Sequence, residues 1–145
     1  MAILNGTELK VYSGTGSQTN LVAFAQNCTL TVNQSVREIT NKESAGFKEI
    51  LEGLRDFTID VDGAYAWSNA SDTPISDGAD DLIDTNVLTN RQAVSFTFGD
   101  NQTTGDNNYT GSGFITSMSL TGGTEDTATY SFTIEGTGVL DRVEV

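Results

Sequence analysis

Residues 128–135, with the sequence ATYSFTIE, give the clearest indication of the fold. Apolar residues alternate with polar ones through the whole segment. Because successive side chains of a β-strand point to opposite faces, this alternation predicts a strand with one buried face and one wetted face. We therefore expect a sheet that covers a core on one side and meets water on the other.

The same alternation recurs along the chain. It predicts further strands at about residues 8–12, 28–33, 57–62, 94–98 and 114–120. The composition agrees, since 21 Thr and a single Pro favour strands, and Thr121–Thr124 has the sequence TGGT of a hairpin turn between the last two strands. We predict a mainly β protein, an antiparallel β-sandwich or barrel, in one domain over residues 1–145.

Two segments depart from the alternation. Residues 47–54 place Phe47, Ile50, Leu51 and Leu54 at helical spacing, with Gly53 to end the run. This predicts a short helix or, because the run is short, a single turn or an irregular bend. Residues 76–88 begin with Ser and Asp, which favour helix N-caps, and continue with apolar residues. We predict that residues 76–88 form the one α-helix, packed on the sheet.

The residue types exclude most catalytic chemistry. The chain has no histidine, so it lacks Ser-His-Asp and Cys-His pairs and every imidazole metal ligand. Cys28 is the single cysteine and lies on the apolar side of its strand, where we expect a small core residue. We therefore predict a protein that is not an enzyme and that has no catalytic, cofactor or metal site.

Carboxylates are the remaining candidates for chemistry. Asp60 and Asp62 share the polar face of one strand, roughly 7 Å apart, a spacing that a glycosidase pair could use; such pairs are also common on wetted strands. A calcium loop starting at Asp60 fails, because Tyr65 and Ser71 stand where Gly and Glu are needed. The acids of residues 77–84 would lie on one helix face, which we interpret as solvated, with a cation site or partner surface as the alternative.

The charge is strongly negative, with 20 acids against 7 bases and a net charge of −13. A protein that grips duplex DNA needs cations to replace phosphate counterions, so that class is excluded, and so is a polybasic membrane-surface protein. Four of the seven bases lie within residues 37–55. A positive island that meets an acidic neighbour would suit self-assembly. Synthesis in a cytosol is expected, since no secretory signal is visible at the N-terminus.

Two stretches resemble the major tail-tube proteins of long-tailed bacteriophages, a family that includes the major tail proteins of gene transfer agents. The first comprises residues 39–49 (ITNKESAGFKE), 53–59 (GLRDFTI) and 62–63 (DG). The second comprises residues 113–120 (GFITSMSL), 126–132 (DTATYSF) and 136–138 (GTG), and it is similar to the closing hairpin of the family. One departure is Phe47, where many members carry Trp.

The resemblance implies a structural virion protein. Six subunits would form a ring that closes an inner β-barrel, and rings would stack into a tube that conducts DNA from the capsid to the host cell. Its partners would be further copies of itself, the tape-measure, tail-terminator and baseplate or tip proteins, and duplex DNA that passes without specific binding. No cofactor and no membrane are implied, and assembly would take place in the cytoplasm of the bacterial host.

The resemblance also suggests surfaces for assembly. The loop that we expect to form an inter-subunit contact contains Asn41, Lys42, Glu43, Ser44 and Gly46. Either Asp60 and Asp62 or the Ser/Thr face of the last hairpin would line the lumen. The alternatives are the tube protein of a contractile injection or secretion system, and a carbohydrate- or receptor-binding β-sandwich, for which Tyr65 and Trp67 offer the only aromatic pair in a loop.

Overall fold

The computed structural model describes residues 6, 9–13, 20–22, 25–65, 76–77, 87–88, 91–99 and 107–144. Within them lie eight strands: β1 (Lys10–Ser13), β2 (Asn20–Val22), β3 (Ala25–Glu38), β4 (Ile50–Ala64), β5 (Ser76–Asp77), β6 (Val94–Gly99), β7 (Asn107–Thr121) and β8 (Thr129–Glu144). A short 3₁₀ helix, Lys42–Ser44, lies between β3 and β4. The described part of the chain is mainly β, and each strand predicted from the alternation is found.

The eight strands form one sheet, in the order β3-β4-β8-β7-β6-β1-β2-β5. Neighbours are antiparallel except β2 and β5. The described strands therefore form a single sheet and not the two sheets of a sandwich. This sheet curls over itself, because the rings of Phe57 on β4 and Phe96 on β6 lie 5.8 Å apart, whereas a flat sheet would separate those strands by three spacings, about 14 Å.

The concave side of the curled sheet holds the core. Its buried members come from alternate positions of four strands, and five of them are aromatic; they are Val11, Phe57, Ile59, Val61, Phe96, Phe98, Tyr130, Phe132 and Ile134. The β4–β8 register places Ile59 opposite Ile134 and Val61 opposite Phe132. Each large apolar side chain removed from water contributes about 1.5–3 kcal/mol. The alternation at residues 128–135 therefore reports a buried face, as predicted.

A two-stranded arm extends beyond this core. It comprises residues 31–56, which include the ends of β3 and β4 and the loop between them. Along these residues β4 pairs with β3 but not with β8, whose pairing with β4 begins at Thr58. Apart from Ser44 and Gly53, every residue of the arm is exposed. The arm therefore stands out from the folded body as a β-ribbon.

The arm corrects one prediction, and the region after β4 leaves another open. Residues 47–54 are not helical: Phe47 precedes β4, and Ile50, Leu51 and Leu54 belong to it. Helical spacing predicts a helix face that packs against the core. That prediction is wrong here, because none of these side chains is buried in the core. Ser76 and Asp77 lie in β5 and not at a helix N-terminus, and most of the predicted helix 76–88, including Asp80, Asp81 and Asp84, lies outside the described residues.

Two titratable groups lie against the core under the β3–β4 pair. Burial raises the pKa of the Cys28 thiol above 9.0, partly offset by a hydrogen bond with the backbone of Val11. Burial also raises the pKa of Tyr130 from 10.0 to about 12, with smaller contributions from Cys28 and Asp62. Cys28 thus behaves as the core residue expected from its strand position, since the thiolate is the reactive form.

Gly136 of β8 provides a test of the packing. A methyl group at this position would overlap with the ring of Phe57, and that ring is 5% exposed and has little room to move. We expect G136A to lower the free energy of unfolding by about 2 kcal/mol, as overpacked cores do. Urea denaturation of the unassembled chain measures this change in the free energy of unfolding. G122A, where an added methyl meets nothing within 4 Å, should change stability by less than about 0.5 kcal/mol. Equal stability of the two variants would contradict this packing.

The raised pKa of Tyr130 predicts a loss of stability in alkali. The unfolded chain releases this proton near pH 10, while the folded chain holds it until about pH 12. The stabilisation is therefore complete below pH 10 and is lost between pH 10 and pH 12, by roughly 2–3 kcal/mol. Y130F should show a shallower decline over that range, whereas Y109F, at an exposed tyrosine, should follow the wild type. An equally steep decline for Y130F would assign the loss to another group.

Candidate assembly surfaces

The face of the sheet opposite to the core is polar across four neighbouring strands, apart from Phe114, which pairs with Glu135. The registers of β3, β4, β8 and β7 align its side chains in rows, for example Thr29, Asp60, Thr133 and Ser117. We call this surface the polar face; its residues are Asn27, Thr29, Thr31, Thr58, Asp60, Asp62, Ser117, Ser119, Thr129, Ser131, Thr133 and Glu135. All are exposed or half-buried. This set includes three acids and no base.

Hydrogen bonds join the two aspartates of the polar face to neighbouring strands. The hydroxyl of Thr133 donates to Asp60 Oδ1 at 2.6 Å, and the amide of Asn27 donates to Asp62 Oδ1 at 2.9 Å. Each carboxylate is therefore held by a neutral donor from another strand. This arrangement fixes the position of negative charge on the surface.

The polar face unites two surfaces that the sequence left as alternatives. Asp60 and Asp62 are on β4, and the Ser/Thr positions of the last hairpin are on β7 and β8. The β4–β8 register places Asp62 beside Ser131 and Asp60 beside Thr133. Both candidates for the lumen lining are thus parts of one continuous surface.

The loop at the tip of the arm contains all five residues predicted for an inter-subunit contact. Asn41 Oδ1 accepts a hydrogen bond from the backbone N–H of Glu43 at 2.8 Å, and Ser44 Oγ accepts one from the N–H of Asn41 at 3.1 Å. This capping box satisfies backbone donors that would otherwise be unpaired. It leaves Lys42 and Glu43 exposed on a fixed turn.

The backbone closes the loop on both sides of that turn. Ala45 and Gly46 have φ values of 53° and 84°, in the left-handed region that reverses the chain after the 3₁₀ helix. The N–H of Ile39 donates to the carbonyl of Glu49 at 2.9 Å, and Thr40 Oγ1 accepts from the N–H of Glu49 at 2.9 Å. The tip of the arm is therefore a defined structure with few internal apolar contacts.

Exposed apolar side chains concentrate on the arm. Among the residues that the structure describes, thirteen large hydrophobic side chains are exposed, and seven of them belong to the arm, with exposures from 42% to 86%: Val32, Val36, Ile39, Phe47, Ile50, Leu51 and Leu54. Large exposed apolar patches mark interaction surfaces. The sequence did not identify this surface, because Phe47, Ile50, Leu51 and Leu54 were interpreted only through their helical spacing. The adjacent pair Ile50 and Leu51 was the available signal, because a strand directs adjacent residues to opposite faces.

The base of the arm contains a groove of about 390 Å³, lined by apolar side chains together with Arg55 and Asp56. It opens where β4 and β8 separate, beyond the pair of Thr58 and Glu135. Leu54 and Val139, which are 86% and 73% exposed, lie on its two sides. The groove extends the apolar surface of the arm onto the folded body.

Strands β3, β4, β8 and β7 form the four-stranded part of the sheet, which has two open edges within the described residues. β3 is 14 residues long and is the outermost strand of the sheet. On the other side, β6 pairs with β7 only at residues 109–113, so residues 114–121 of β7 pair with β8 alone. Open edges carry unpaired backbone groups that can pair with another chain.

The described residues offer little for other site types. They contain no group of three Asp, Glu or Cys side chains placed to hold a metal ion, and no helix among them has the length and hydropathy to cross a membrane. Tyr65, one of the aromatic pair considered for sugar binding, packs against the core; Trp67 lies outside the described residues. A groove of about 270 Å³ on the polar face has Tyr130 as its only aromatic lining residue, and Tyr130 is 2% exposed.

Comparisons with known proteins agree with this geometry. A family model described as phage tail tube protein matches residues 7–142. No curated protein sequence matches the chain. Among solved structures, the chain is similar to a subunit of the native gene transfer agent virion, with 19% identity and a TM-score of 0.73 over 97% of this chain and 99% of that one.

Two further solved structures are similar. A chain of the SPP1 tail tube has 16% identity and a TM-score of 0.70, over 99% of this chain and 80% of that one. A chain of an extracellular contractile injection system, in a sheath–tube complex, has 14% identity and a TM-score of 0.63, over 94% and 88%. At these identities the structures show a shared fold.

Proposed function

The chain belongs to the phage tail tube protein family, and from that premise we propose that six copies form a ring and that rings stack into the tube that conducts DNA. The protein is a structural component of a phage tail tube, and so of a virion. The observation that supports ring formation is the pair of open edges, β3 and residues 114–121 of β7, on opposite sides of the four-stranded sheet.

The strand directions allow one copy to continue the sheet of the next. β3, β4, β8 and β7 alternate in direction across the sheet, so β7 of one copy beside β3 of another is an antiparallel pair. Six copies with four strands each would close a barrel of 24 strands. Barrels of 16–18 strands already enclose an aqueous channel, so this barrel would leave room for a lumen.

The two faces of the sheet determine which one would line that lumen. β6 and β1 cover the core face, and the polar face is uncovered in the described residues. A barrel closed through β3 and β7 would therefore have the polar face inside. Asp60, Asp62 and Glu135 would give three carboxylates a copy, or 18 in a ring of six. Their repulsion of phosphate would extend roughly 10 Å at 0.1 M salt, which favours sliding over binding.

The tube of a contractile injection system is the second candidate. The similarity to the sheath–tube complex supports it, because a phage tail tube and the tube of a contractile injection system would share this fold. A sugar- or receptor-binding domain has less support, because the aromatic Tyr65 belongs to the core. The tape-measure, terminator and tip partners, and assembly in the host cytoplasm, stay predictions from the family resemblance.

Electron microscopy of the purified protein tests self-assembly. We expect hollow rods, and end views with six-fold symmetry, above a critical concentration, because open edges and the exposed apolar arm favour association. A chain that stays monomeric at every concentration and salt condition would contradict the proposal. Rings of another symmetry would contradict the hexamer alone.

Lysines on the polar face test the lumen assignment. Particles built with D60K/D62K should have tails of normal length but should deliver DNA roughly tenfold less efficiently, since each phosphate that a lysine neutralises adds affinity. D141K/E144K makes the same charge change at exposed residues outside the polar face and serves as the control. If both variants deliver DNA equally well, the polar face does not line the path of the DNA.

A further inference from the structure

The four-stranded sheet carries different structures at its two ends. β4 begins at Ile50, next to the tip of the arm, and ends at Ala64. Ala64 pairs with Thr129, and Thr129 pairs with Thr121, so the turn of residues 122–128 lies at the other end. The 14 residue steps along β4 span roughly 46 Å. The tip of the arm and this turn are thus at opposite ends of one subunit.

The two ends also differ in charge. Residues 37–55 contain four bases and four acids, so the whole net charge of −13 comes from the rest of the chain, with its three bases and sixteen acids. At the tip of the arm, Lys42 and Lys48 are exposed. At the opposite end, Glu125 and Asp126 are exposed on a turn without a base. The tip also carries Glu43 and Glu49, so residues 39–49 have no net charge, whereas the turn of residues 122–128 has a net charge of −2. The tip can therefore present two lysines to the acidic turn without a net negative charge of its own.

Both charged groups are held on defined backbone. The capping box of Asn41 and Ser44 fixes the loop that carries Lys42. In the opposite turn, the N–H of Asp126 donates to the carbonyl of Gly123 at 3.3 Å, and Glu125 has a φ of 66°. Each end therefore presents its charge in one arrangement, as a repeated contact requires.

We propose that the tip of the arm in one ring docks on the acidic turn of a subunit in the next ring, with Lys42 and Lys48 facing Glu125 and Asp126. This inference rests on the proposed tube. The contact joins two different surfaces at opposite ends, so it is heterologous and repeats without limit along an axis. Every ring then points the same way, and the tube has one polarity.

In this contact, apolar groups would provide affinity, and charged groups would determine orientation. Phe47 and Ile39 at the tip are 76% and 42% exposed, and burying them would supply affinity. Exposed ion pairs add little affinity, but complementary charge speeds encounter and rejects wrong orientations. Turn against turn would bring acids together, whereas the tip has no net charge and offers two lysines. The charges therefore favour a turn that faces a tip over a turn that faces another turn.

Charge reversal with rescue tests the pairing. K42E/K48E and E125K/D126K should each elongate tubes roughly tenfold or more slowly than the wild type at low salt, since like charges then face each other. The variant with all four changes restores opposite charges and should elongate within about threefold of the wild type. Light scattering follows elongation, and electron microscopy measures tube length. Thermal unfolding of each unassembled variant confirms that it is folded.

A control separates local pairing from net charge. R91E/R142E changes the net charge by the same amount as K42E/K48E at two exposed arginines outside the tip, and it should leave elongation within about threefold of the wild type. A change in salt concentration alone would not separate local pairing from net charge, because salt also screens the repulsion between whole subunits.

The outcomes distinguish this inference from the proposed function. If the wild type forms no tubes, the proposed function fails. If it forms tubes and the two reversals elongate normally, the tip and the turn are not the contact. If each reversal slows growth and the combined variant is not rescued, the arm contributes but does not face this turn. Slowing of R91E/R142E to the level of K42E/K48E would assign the effect to net charge.

Discussion

The strict alternation of side chains along β4 and β8 is the constraint on which the other features depend. One set of positions, Ile59 and Val61 with Phe132 and Ile134, is buried at 2% exposure or less. The other set, which includes Asp60 and Asp62, stays in water. A shift of one residue in register would exchange the two sets and bury carboxylates. The burial of the core therefore also fixes the pattern of negative charge on the polar face.

The arm differs from the rest of the sheet, because neither of its faces is buried within the chain. Its two strands satisfy each other's backbone groups, and its side chains are exposed on both faces. Such a ribbon gains little from burial within its own chain, and isolated two-stranded ribbons are marginal in water. Hydrogen bonds such as that from the N–H of Glu49 to Thr40 Oγ1 support the loop locally. Burial of Phe47 and Leu54 against another subunit would supply the missing stabilisation, which supports the proposal that the arm takes part in an interface.

This difference explains how much could be read from the sequence. Periodicity reports burial within one chain, so it located the strands around Phe57, Phe96 and Tyr130 correctly. It failed at residues 47–54, whose apolar side chains have no partner inside the subunit. It also left two candidates for the lumen lining, because the pairing of Asp60 with Thr133 joins residues 73 positions apart. The prediction that residues 41–46 form a contact came from family resemblance, while the capping box of this loop and its place at the tip of the arm required the structure.

Charge placement reconciles a strongly acidic subunit with assembly. Copies at −13 repel one another, and such repulsion keeps free subunits soluble. The repulsion has to be low where copies touch, and the segment from Arg37 to Arg55, which covers most of the arm, carries no net charge. The carboxylates of the polar face instead point away from the core and from the arm's tip. In the proposed tube, solubility, stacking and an anionic wall would draw on different parts of one sequence, and a uniform spread of the same charges would weaken all three.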